Sequence, residues 1–155
     1  MDVLTGSSVV CEVRVQASPE TIFPLLVEGE RSARWFGRAA SIEPRPGGVY
    51  RTELSDQIVA VGEIVEIDEP RRVVLTFGWE GSDEVPPGSS RVQITLEPDG
   101  DETVVRLLHD GLPDGAAEEH GQGWDLFLPR LATLAAGGDP GAYVPRATQL
   151  KARHD

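Results

Sequence analysis

His109 and His120 are the side chains best suited to acid–base work near neutral pH. Imidazole titrates there, and either ring nitrogen can give or take a proton. His109 closes a run in which Val105, Leu107 and His109 alternate with other positions, so it shares their inward face. His120 falls early in a stretch with helical spacing. The two can meet where a strand hands over to a helix, and there they would orient a ligand or move one proton. A histidine satisfied by backbone groups at such a corner is the plainer alternative, and the sequence leaves both standing. No serine or cysteine is placed to form a nucleophile pair with either. Glu118, Glu119, His120, His109 and Asp110 supply metal donors on paper. Positions 118 and 119 diverge on a helix, however, and no HExxH spacing exists, so no metal site is expected.

The aromatic residues are the second group with chemical use. Trp35, Phe36, Tyr50, Phe77, Trp79, Trp124 and Phe127 hold most of the aromatic area of the chain. Such rings serve either as core or as the wall of a cavity for a planar ligand. Together with His109 and His120 they are the expected lining of an internal ligand cavity; no catalytic residue is assigned. Arg51 and Glu63 fall on neighbouring expected strands, as an inward ligand anchor or an outward surface pair. Arg31, Arg34 and Arg38 cluster around a short helix, either as a patch for an anionic partner or as ordinary mixed surface charge.

These residues need a scaffold that turns a sheet face toward a helix. Val9, Cys11, Val13 and Val15 alternate as in a half-buried first strand. Ser18-Pro19-Glu20 announces a helix carrying Ile22, Phe23, Leu25 and Leu26, ended by Gly29. A second short helix over about 31–36 delivers Trp35 and Phe36. Strands follow over about 39–45, 48–54, 57–67, 72–79, 90–97 and 102–109. Turn signals such as Pro46-Gly47-Gly48 and Pro98-Asp99-Gly100-Asp101 separate them. Short connections predict an antiparallel meander. The stretch 80–89, with Pro86-Pro87 and Gly81, reads as a mobile loop. The last helix, 116–136, has Asp114 as its expected cap. It puts Trp124, Phe127, Leu128, Leu131 and Leu134 on one face, and Gly137-Gly138 stops it. The expected division is a domain over 1–137 and a tail over 138–155.

Composition sets the boundaries. The chain has 155 residues, the size of one domain, with 39% hydrophobic residues and a net charge of −12. Such a surface repels phosphate backbones and anionic lipid, so neither nucleic-acid nor membrane binding is expected. Cys11 is the only cysteine, which excludes an internal disulfide. No apolar run approaches the roughly 18 residues of a bilayer span. The opening residues lack a signal-peptide pattern, so a cytoplasmic location is expected.

The motifs in order carry a resemblance. Val13-Arg14-Val15-Gln16-Ala17-Ser18-Pro19-Glu20 resembles the opening of START-like (SRPBCC) proteins. Arg34-Trp35-Phe36, Pro46-Gly47-Gly48-Val49-Tyr50 and Gly62-Glu63-Ile64-Val65-Glu66-Ile67 then follow. Pro70 to Phe77, Val92 to Leu96, His109-Asp110-Gly111-Leu112, His120 and Gly123-Trp124 complete the series. Over about residues 9–137 it is similar to the AHSA1 branch, homologues of the activator of Hsp90 ATPase. The resemblance implies an α+β helix-grip fold in β-α-α-β6-α order. A curved antiparallel sheet of about seven strands would grip the long C-terminal helix around an apolar cavity. It implies a small apolar or aromatic ligand as partner and no obligatory cofactor. A cyclase- or hydrolase-type enzyme using the histidines, and a co-chaperone-like interaction module, are the alternatives. An Hsp90-type chaperone is not the expected partner, because the chain matches only the C-terminal-type domain of the eukaryotic activator. A homodimer through a sheet edge is left open.

Overall fold

A computed structural model of the chain describes residues 7–142. Strand β1 (Ser7–Val15) leads into helix α1 (Pro19–Val27) and the short helix α2 (Gly29–Ser32). Six strands follow: β2 (Ala39–Ile42), β3 (Val49–Glu53), β4 (Val59–Asp68), β5 (Arg72–Phe77), β6 (Ser90–Asp99) and β7 (Glu102–Leu112). Helix α3 (Ala116–Ala135) closes the order. The strands form one antiparallel sheet in the order β1-β7-β6-β5-β4-β3-β2. The helix-grip fold expected from the sequence is therefore the fold of the chain.

Local chemistry explains most boundaries. The Ser18 hydroxyl accepts the Thr21 amide at 3.2 Å, and Pro19 occupies the first turn, so α1 starts where the sequence announces it. Gly29 does not end α1 as expected; Glu28 caps it and Gly29 opens α2. The glycine is needed for close approach, because a Cβ there would lie 2.7 Å from the Ala40 carbonyl. Helix α2 ends at Ser32, earlier than expected, and tight turns from Ser32 carry the chain to Trp35 and Phe36. Asp114 is not the cap of α3. Gly115 takes that position at φ +90°, and the Asp114 carboxylate instead accepts the Ser7 hydroxyl at 2.8 Å. The 80–89 segment is a loop, but it is pinned at its centre. Val85 is its one large aliphatic side chain and packs on Leu112 and Ala116, while its carbonyl accepts the Trp79 amide at 2.7 Å.

The core lies between the inner sheet face and the helices. Val73, Leu75 and Phe77 of β5, Val92, Ile94 and Leu96 of β6, and Val105 and Leu107 of β7 are buried there. From α3 come Trp124, Phe127, Leu128, Leu131 and Leu134. Full burial of such side chains is worth about 1.5–3 kcal/mol each, so this face anchors a helix that carries the weak helix formers Gly121 and Gly123 in its second turn. Among the described residues no helix is long and apolar enough to cross a membrane. The expected tail lies outside the described residues from Tyr143 onward, as do residues 1–6.

Candidate functional site

All the residues expected to line a cavity meet in one continuous aromatic array. Phe36 is at its centre on the helix side, stacked on Trp124 at 5.1 Å and edge-on to Phe127 at 4.8 Å. Trp35 lies beside it at 5.7 Å. Phe77 is the centre on the sheet side, 5.0 Å from His109, 5.2 Å from Trp79 and 6.4 Å from Tyr50. Phe77 and Trp124 join the two halves at 5.8 Å. His120 closes the array against His109 at 5.1 Å and Trp79 at 5.9 Å. Trp79 and His120 are half-buried and the others buried, so these two form the rim nearest solvent.

The polar groups inside this array are arranged in two relays. The Trp124 indole N–H donates to His109 Nδ1 at 3.1 Å. An indole can only donate, so the proton of a neutral His109 sits on Nε2. That Nε2–H points at the Ser90 hydroxyl 2.8 Å away, and Ser90 donates to the Phe77 carbonyl at 2.7 Å. Every member is satisfied. Burial, with a smaller contribution from His120, pushes the His109 pKa down to about 3. In the second relay the Trp79 indole donates to His120 Nε2 at 2.9 Å, and His120 Nδ1 lies 2.7 Å from the Ala116 carbonyl, to which it donates.

Ser90 is the residue that sequence reading missed. The alternation Val92, Ile94, Leu96, continued back one step, puts Ser90 on the same inward face, and β6–β7 register sets Val92 opposite His109. The Ser90–His109 distance looks like a nucleophile pair. The proton positions exclude it: His109 Nε2 carries a proton and cannot take the one on Ser90. Burial also pushes the Tyr50 hydroxyl up to about 12, so this phenol stays neutral. Among the described residues no cluster of metal-ligating side chains forms, and the suggested donors around His120 do not converge. The Arg51–Glu63 pairing does not form. Val61 is opposite Arg51 and Val49 opposite Glu63, and the Arg51 guanidinium lies 3.8 Å from Glu80.

Known structures share this architecture. The AHSA1-like protein RHE_CH02687 of Rhizobium etli is 38% identical, with 94% of each chain covered and a TM-score of 0.69. DynU16, from the dynemicin biosynthetic locus, is 24% identical over 88% of this chain, with a TM-score of 0.76. The chain spans about half (49%) of the length of DynU16. The Aha1 dimer of Colwellia psychrerythraea is 16% identical over 85% of this chain and 98% of its own, with a TM-score of 0.75. At 24% and 16% identity the likeness is one of fold. A search of curated proteins found no match. The family model described as activator of Hsp90 ATPase homolog 1-like protein matches residues 16–136, and with that span the chain belongs to the AHSA1-like family of the START-like superfamily.

Proposed function

We propose that the chain binds a planar, uncharged apolar or aromatic small molecule in the aromatic interior between the sheet and α3. The observation that carries this reading is the character of that interior: a continuous array of rings whose polar groups are neutral imidazole, indole and hydroxyl. Mostly apolar walls with a few convergent polar groups are what a small-molecule site needs. In the closed state the rings contact one another, so a ligand enters by parting them. The start of α3 is the element best placed to yield. Its cap position is a glycine without a side-chain hydrogen bond, and Gly121 and Gly123 weaken its first turns. Trp79 and His120 line the rim beside it.

Acid–base catalysis fits His109 poorly, because both its ring nitrogens are engaged and its proton is on the wrong one for a serine. Native mass spectrometry of protein purified from its own host, followed by denaturing extraction, tests the proposal. A retained organic molecule at fixed stoichiometry is the expected result. N-phenyl-1-naphthylamine, a neutral planar probe, should also bind saturably with quenching of tryptophan emission. The absence of both a retained molecule and saturable probe binding would overturn it.

A further inference from the structure

A second site lies around the arginines near α2, with lining residues distinct from those of the aromatic array. Ala33, Arg34, Gly37 and Arg38 form one wall of a cleft of about 280 Å³, and Asp139, Gly141 and Ala142 form the other. Arg130 of α3 holds the two walls together. Its guanidinium donates to four backbone carbonyls: Trp35 at 3.0 Å and Arg34 at 3.3 Å on one side, Pro140 at 3.0 Å and Gly141 at 2.8 Å on the other. A planar fork with several donors suits this clamp, which lysine could not make.

Arg34 and Arg130 stand outside the salt bridges that most described arginines form. Arg14, Arg31, Arg38, Arg45, Arg51, Arg72 and Arg106 all form salt bridges. Among the described residues no carboxylate pairs with Arg34 or Arg130. The carbonyls that satisfy Arg130 are dipoles and leave its net charge uncompensated. Asp139 is exposed at the cleft; its carboxylate accepts the Gly141 amide at 2.8 Å and forms no salt bridge with either arginine. A protein of net charge −12 thus keeps two arginines outside any salt bridge at one cleft, where with Arg38 they outnumber the single lining carboxylate of Asp139.

We infer that this cleft binds an oxyanion, the phosphate or carboxylate group of a small molecule, with Arg34 as the direct ligand and Arg130 as the fixed positive charge behind it. Exposed guanidinium groups recognise both anions through paired N–H donors. The site is separate from the aromatic interior, and its test does not depend on that reading.

The test is an amide-resolved NMR titration of the whole protein with inorganic phosphate in one arm and acetate in the other, at constant ionic strength set with sodium chloride. Saturable shifts confined to residues 33–38 and 139–142 are expected in at least one arm, and the stronger arm assigns the group. Arg34→Gln should weaken that binding at least about tenfold, the size expected for a charge-assisted hydrogen bond. Its spectrum elsewhere should be unchanged, since Arg34 is exposed. No saturable shift in either arm, equal shifts with chloride alone, or an unchanged affinity in Arg34→Gln would each overturn the inference.

Discussion

Acid should unfold this protein partly through one residue. His109 is fully buried and satisfied in its neutral form, with a pKa near 3 caused first by burial. In the unfolded chain it returns to about 6.5. The folded pKa is the lower one, so the unfolded state binds more protons between these values. Stability from this residue is complete above about pH 6.5 and is lost as pH falls toward 3. One pKa unit corresponds to about 1.4 kcal/mol, so going from pH 7.5 to 4.5 removes on the order of 2–3 kcal/mol. Carboxylates titrate in the same window, and a His109→Gln variant separates their contribution. Its amide oxygen can still accept the Trp124 indole, but it does not titrate. Urea unfolding at both pH values should find the variant less stable at pH 7.5, with the gap narrowed by on the order of 2–3 kcal/mol at pH 4.5. An unchanged gap would refute the buried, neutral histidine and the relay built on it.

Three further outcomes follow from contacts described above or adjoining them. Burial, aided by Asp125, pushes the Cys11 thiol up to about 11, so the folded protein should resist Ellman's reagent at pH 8 and react at once in denaturant. Gly123→Ala meets open space in α3 and should raise stability by about 1 kcal/mol, read as a higher Tm. Gly121→Ala should lose that gain, because its Cβ would sit 2.9 Å from Val9 Cγ2. Arg130→Ala should cost about 2–4 kcal/mol in urea unfolding, and Arg130→Lys should restore little of it because a point charge cannot bridge both walls.

The strands and α3 were legible because their apolar residues recur with one clear period. Alternation placed Val105, Leu107 and His109 on the inner face, and helical spacing placed Trp124, Phe127 and Leu131 there too. Ser18 and Pro19 located α1 because a capping hydroxyl and a first-turn proline act locally. What failed depended on distant chain. Gly29 resembles a helix stop, but its role is set by the Ala40 carbonyl. Asp114 resembles a cap, but Ser7 from the first strand claims it. The aromatic residues could be named in advance, whereas the direction of their hydrogen bonds could not. Ser90 is a short polar residue in an apolar pattern, and only the register with β7 gives it meaning. Arg130 gave no sequence signal, because its partners are carbonyls and any residue has one.

The sheet order also decides when the fold can close. β1 is made first but pairs only with β7, so Val15 must wait for Thr103 and Ser7 for Leu112. During synthesis the meander from β2 to β6 can assemble by neighbouring hairpins, whereas β1 stays without its partner until β7, which ends at Leu112, has been made. Closing that long loop is an entropic barrier that local pairing does not meet, and it makes β1–β7 docking a late, slow event. Until then the apolar face of β1, with Val9, Cys11, Val13 and Val15, is open to other chains. A nascent-chain holdase would therefore find its binding segment in the first strand.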